Sequence, residues 1–120
     1  MSDHLENRTV IRAQVAGDVY IIRIAGDIDQ FHAKQVKQVF LKLVAGGARK
    51  LVVDVASATY IDSAGVGSLL YMFSESKKRN VRFLLSGTRG PVLRVIELTK
   101  LNEYFPRVER LVDGIAQLKD

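Results

Sequence analysis

No cysteine occurs among the 120 residues, which excludes disulfides, thiolate zinc sites, iron–sulfur clusters and cysteine nucleophiles. The two histidines, His4 and His32, are too few for an ordinary imidazole metal cage. No uninterrupted apolar run approaches the ~20 residues needed to cross a bilayer. The opening MSDHLENRT is polar and has no apolar core of the kind an export signal carries. These absences lead us to expect a soluble, cytoplasmic protein with no membrane insertion, no metal and no cofactor. Internal repeats, linkers and low-complexity segments are missing too. The 48% of apolar residues, in a chain of this length, furnish one hydrophobic core and not a second. We therefore expect a polar N-terminal extension over residues 1–8 and a single domain over 9–120.

Charge is in excess on one side: 18 Lys and Arg against 13 Asp and Glu give a formal +5, a first footprint of nucleic-acid binding. The footprint is diffuse. Its densest group, Lys77, Lys78 and Arg79 with Arg82 nearby, falls where a helix should end, and cations there complement the helix dipole. The other arginines are interleaved with apolar residues, and no groove-reading motif is present, so direct nucleic-acid binding is not expected.

What is present alternates between two periods. Thr9–Ala16 and Val19–Ala25 are rich in β-branched residues around the turn pair Gly17-Asp18, which predicts an N-terminal hairpin. Phe31, Val36, Val39, Phe40, Leu43 and Val44 then recur at helical steps up to Gly46-Gly47, with Asp29 as the expected N-cap. The run from Lys50 to Val55 is almost continuously apolar, as in a strand covered on both faces. A second helix is predicted from Ala64 to about Arg79, a strand over Val81–Ser86, and a helix with Pro91 at its first position. A short extended piece near Phe105–Val108 and a last helix over Leu111–Leu118 complete the pattern. Strands alternating with helices imply an α/β (α+β-like) fold. Its mixed, mainly parallel sheet should have about four to five strands, including the N-terminal β-hairpin, with about four helices.

Between the second-half strands and helices one loop stands out, because loops at the carboxyl ends of parallel strands are where chemistry collects. It runs Tyr60-Ile61-Asp62-Ser63-Ala64-Gly65-Val66-Gly67 and enters a helix with two glycines in its first turns. Glycine costs about 1 kcal/mol relative to alanine inside a helix, so two of them imply a close approach by a ligand, another element of the fold or another protein. A nucleophile elbow would need glycine where Ile61 stands, and neither histidine sits in a triad context. Gly65-x-Gly67 is only part of a dinucleotide fingerprint, with Leu70 at the third glycine position, and the Lys-Ser/Thr of a P-loop is missing. His32 is read as a surface residue of a first helical turn, so no catalytic residue is expected. Asp62 or Ser63 is suited to cap the helix, and a serine displayed at a helix start is open to a kinase.

At these residues the chain resembles the STAS family, and within it the bacterial anti-sigma factor antagonists. The resemblance rests on Val53-Asp54-Val55, on Tyr60 through Gly67 followed by Leu69-Leu70, on Gly26-Asp27-Ile28-Asp29, and on the late Arg94–Leu101 stretch with Phe105. It spans nearly the whole chain and implies the STAS fold and partner switching. The unmodified protein would bind an anti-sigma factor that is also a serine kinase, freeing the sigma factor. Phosphorylation of Ser63 would abolish binding, and a PP2C-type phosphatase would restore it. The resemblance further implies a docking face made of Asp27 and Asp29 on one loop and Asp62, Ser63, Ala64, Gly65 and Gly67 on its neighbour, with the glycines letting the partner approach. Ser57, Thr59, Ser68 and Thr88 are further hydroxyls near enough to be weighed. STAS domains also serve as accessory subunits of membrane transporters, which is the alternative the resemblance leaves open.

Overall fold

The structure, a computed structural model, describes residues 9–119; the expected extension 1–8 lies outside the described residues. In chain order the elements are β1 (Val10–Ala16), β2 (Val19–Ile28), α1 (Ala33–Ala45), β3 (Lys50–Asp54), β4 (Ala58–Ile61), α2 (Ser63–Lys78), β5 (Arg82–Ser86), α3 (Gly90–Leu98), β6 (Arg107–Val108) and α4 (Leu111–Leu118). The strands form one six-stranded sheet in the order β1-β2-β3-β5-β6, with β4 pairing β2 off that path. Among the described residues only the β1–β2 hairpin is antiparallel; the β2–β3, β2–β4, β3–β5 and β5–β6 pairs are parallel. This is the expected α/β class with a mixed sheet.

The period-2 pattern sorts the core. Ile22 and Ile24 of β2, Leu51 and Val53 of β3, and Phe83 and Leu85 of β5 point to one face, where they meet Val36, Phe40 and Val44 of α1 and Val66, Leu69 and Met72 of α2. Val19, Val52 and Leu84 point to the other, where Leu118, Leu111 and Ile115 of α4 cover them. Burial of each such aliphatic or aromatic side chain contributes about 1.5–3 kcal/mol. Because β3 is buried along its whole length, Leu51, Val52 and Val53 are apolar, and the charged residues at its two ends, Lys50 and Asp54, need partners. Lys50 is accommodated there by the Asp18 carboxylate of the hairpin turn, 2.6 Å from its Nζ.

Two features depart from the sequence expectation. β2 runs on to Ile28, three residues beyond the predicted strand, and β4 forms where a loop was expected. They are one event. β2 pairs β3 only from Tyr20 to Arg23; a register irregularity follows at Gly26/Asp27, and its far end pairs β4 instead, with Ile28 opposite Ile61. Gly26, at φ +91, takes up the bend and donates its N–H to the Ser57 carbonyl. Asp27, expected in a loop, is thus in a strand.

The first helix also starts later than expected. Asp29 is not its N-cap: that position is His32, without a side-chain cap, and α1 begins at Ala33. Asp29 instead closes a turn ahead of the helix. Its carbonyl accepts the N–H groups of His32 and Ala33, and its Oδ1 accepts that of Phe31.

Candidate functional site

The tail of β2, the turn leading to α1, and the β4–α2 junction lie side by side because β4 pairs only with the tail of β2. Asp62 binds them together. As N-cap of α2 it accepts the Gly65 N–H on Oδ1 at 2.9 Å, satisfying one of the helix's orphan donors. Its Oδ2 accepts the Gln30 N–H at 3.0 Å, from a residue 32 positions earlier, and its own N–H reaches the Ile28 carbonyl. One carboxylate therefore fixes the start of α2 against the β2–α1 turn.

Ser63 follows at the first position of α2 and is exposed, while Ala64 is half-buried. The other hydroxyls differ in access. Ser68 is fully buried and donates to the Gly65 carbonyl at 2.6 Å, which removes it from reach of a kinase. Ser57 and Thr59 are exposed on the approach to and within β4, and half-buried Thr88 receives an N–H from Arg107 in the β5–α3 loop. Ser63 alone combines exposure with a helix start, where the dipole favours an added phosphate.

The two glycines are not equivalent. A side chain on Gly65 would collide with the Ile28 carbonyl oxygen and come within 2.7 Å of Ile61 Cγ1. Gly65 is buried and bare because α2 is pressed onto the end of β2. The expectation that it opens a surface to a partner is corrected on that ground. A side chain on Gly67 would meet nothing within 4 Å, so the fold itself offers no reason for glycine there.

Asp29 and Asp27 sit on the same rim with different surroundings. The Asp29 carboxylate is largely buried and lies 2.7 Å from His32 Nδ1. His32, read from sequence as a surface residue, is thus half-buried and paired; an Asp three residues before a His in a pre-helical turn was the available signal. Asp27 is half-buried, and its backbone is tied to Thr9 by a pair of hydrogen bonds. The sequence reading missed the apolar part of the rim. Phe31 is 79% exposed directly after Gln30, and Tyr60 is 50% exposed two residues before Asp62. Large apolar groups flanking an exposed serine suit a protein surface better than a small-molecule site.

The basic cluster at the end of α2 is taken up locally. Arg79 pairs Glu75 at 3.0 Å, and Lys77 lies over the rings of Phe73 and Tyr104. Among the described residues, no helix is long and apolar enough to cross a membrane.

The sheet forks at β2 and ends beside an exposed serine behind an Asp cap, and comparison with known proteins gives the chain a family. The chain belongs to the STAS domain family, which it matches over residues 10–115. It is 28% identical over 82 residues to the anti-sigma-B factor antagonist of Listeria monocytogenes, covering 68% of this chain and 72% of that protein. A solved anti-sigma factor antagonist from Mycobacterium paratuberculosis shares its fold with a TM-score of 0.84 at 23% identity, over 95% of this chain and 97% of that one. The phosphorylated form of the Bacillus cell fate determinant SpoIIAA gives 0.70 at 19% identity, over 92% and 100%.

Proposed function

We propose that this chain is an anti-sigma factor antagonist without catalytic activity of its own, acting in the cytoplasm through partner switching. Unmodified, it binds an anti-sigma factor that is also a serine kinase and so frees a sigma factor. Phosphorylation of Ser63 ends the binding, and a PP2C-type phosphatase resets it. The docking rim consists of Ser63, Ala64 and Gly67 at the start of α2, Phe31 and Tyr60 beside them, and Asp27, Asp29 and Asp62 beneath. The observation that carries the reading is the exposed Ser63 at a helix start whose cap, Asp62, also holds the neighbouring turn.

The physics of the switch is local. A phosphate adds about −1.5 to −2 charges. Within the free protein the helix start tolerates it. Against a fitted partner surface, the same charge must be desolvated beside Asp62, and like-charge juxtaposition costs several kcal/mol.

The test uses purified anti-sigma kinases from the same genome, with mass spectrometry and a binding titration. We expect one phosphate, on Ser63. Ser63→Ala should bind at least as tightly as the unmodified protein, and Ser63→Glu more weakly by on the order of 100-fold, about 2.7 kcal/mol. Phosphate on Ser57, Thr59 or Thr88 with Ser63 untouched, or equal binding by both variants, overturns the proposal.

A further inference from the structure

β1 is a sheet edge that nothing described in the chain covers. It pairs β2 on one side over seven unbroken register positions, Val10↔Ala25 to Ala16↔Val19. Its sequence, VIRAQVA, has no proline, no lysine and no bulge, and its one charged residue is Arg12. Five of its residues are exposed, with Val15 at 59% and Val10 at 37%.

Which backbone groups are free follows from the turn. The two-residue Gly17-Asp18 loop makes Ala16 and Val19 a hydrogen-bonded pair, so Ala16, Gln14, Arg12 and Val10 direct their N–H and C=O groups toward β2. Ile11, Ala13 and Val15 direct theirs outward. We infer that β1 is the pairing edge for a second copy of this chain, joined antiparallel about a two-fold axis at Ala13.

The register is singled out by charge and by length. Outward-facing residues must meet outward-facing residues, which allows symmetric pairings centred on Arg12, Ala13 or Gln14. Centring on Arg12 sets two guanidinium groups directly opposite, which is destabilising. Centring on Gln14 leaves Val10 and Ile11 unpaired. Centring on Ala13 pairs the whole strand: Ile11 opposite Val15 of the second copy, Arg12 opposite Gln14, and the small Ala13 against itself. Ile11 of the second copy then lies beside Val15, over an apolar dent of about 190 Å³ lined by Ala13, Gln14, Val15, Tyr20 and Leu43.

The stretch before the strand is a weaker candidate for the same edge. Residues 1–8, MSDHLENR, carry only Met1 and Leu5 as apolar residues and have no alternation to match. Thr9 is held toward β2 by Asp27. The edge begins beside Asp27 of the docking rim, through Thr9, but β4, which leads to Ser63, pairs the tail of β2 and not β1. A dimer through β1 therefore displays two free Ser63 sites.

The absence of cysteine makes the test clean. We expect the full-length chain to rise toward twice its monomer mass in sedimentation experiments as concentration is raised. Ala13→Pro, which removes an outward N–H and no ladder bond, should hold it at monomer mass with an unchanged circular dichroism spectrum. Ala13→Cys should oxidise to a disulfide-linked dimer at least tenfold faster than Val112→Cys, an exposed control on α4. Amides of Ile11, Ala13 and Val15 should gain exchange protection with concentration. Monomer mass throughout, equal oxidation rates for the two cysteine variants, or protection independent of concentration, which marks the chain's own preceding segment as occupant, overturns the inference.

Discussion

A methyl group on Gly65 and one on Gly67 have opposite consequences. At Gly65 it meets the Ile28 carbonyl and the Ile61 side chain, so α2 must lift from β2. Gly65→Ala is expected to lower stability by about 2–3 kcal/mol in urea unfolding, the usual cost of overpacking a tight contact. Gly67→Ala enters open space within a helix and should raise stability by up to about 1 kcal/mol. If Gly67 faces the anti-sigma partner, the same variant binds it less tightly, and the pairing of a higher unfolding midpoint with a lower affinity checks the docking assignment. Sequence gave equal weight to these glycines because spacing reveals that bare backbone is needed, not what approaches it. Asp62 was legible as a cap; its second bond, to Gln30, was not, since it depends on a contact 32 residues away.

The elements most readable in the sequence are those whose burial matches a simple period. β3, β5, α1 and α4 lie close to where apolar alternation or helical spacing puts them. β4 was invisible because Ala-Thr-Tyr-Ile has no clear alternation and its pairing exists only after β2 bends at Gly26. Two predictions belong at this scale. Asp62→Ala removes a cap and the bridge to the β2–α1 turn, and should destabilise by about 1–2 kcal/mol. Asp62→Asn, which keeps an acceptor, should lose less, as read by urea midpoints. The second concerns the hairpin turn. The hydrogen bond from Lys50 is the largest influence on the Asp18 carboxyl and, with desolvation opposing it next and the Lys50 charge adding to it, holds the group below its ordinary value of 3.8. A carboxyl with a depressed folded-state pKa contributes stability above the unfolded value and loses it as pH falls through the folded one. Asp18→Asn should therefore flatten the decline of the urea midpoint below about pH 4, leaving the profile near neutrality parallel to the parent's.

For the whole molecule, the proposed switch requires no rearrangement of the fold. Ser63 lies at a helix start whose cap and packing involve Asp62, Gly65 and Ile28. Amide spectra of the phosphorylated and unmodified chains should differ at the start of α2 and the β2–α1 turn and coincide over β3, β5 and α4. The formal +5 charge acts at longer range. It favours encounter with an acidic partner surface, so the association rate should fall as salt rises while the dissociation rate changes little, measurable by stopped flow.

The fork in β2 has a dynamic consequence. The inner half of that strand is bonded on both sides, by β1 and β3, whereas its tail is held by the four-residue β4 and the Asp62 bridge. The two halves need not open together. In native-state hydrogen exchange, the amides of Ile28 and Asp62 should open through a sub-global event of lower free energy than those of Ile22, Val53 and Leu85. The rim that carries Ser63 would then be able to fray and reclose as a kinase engages it, while the centre of the protein stays shut.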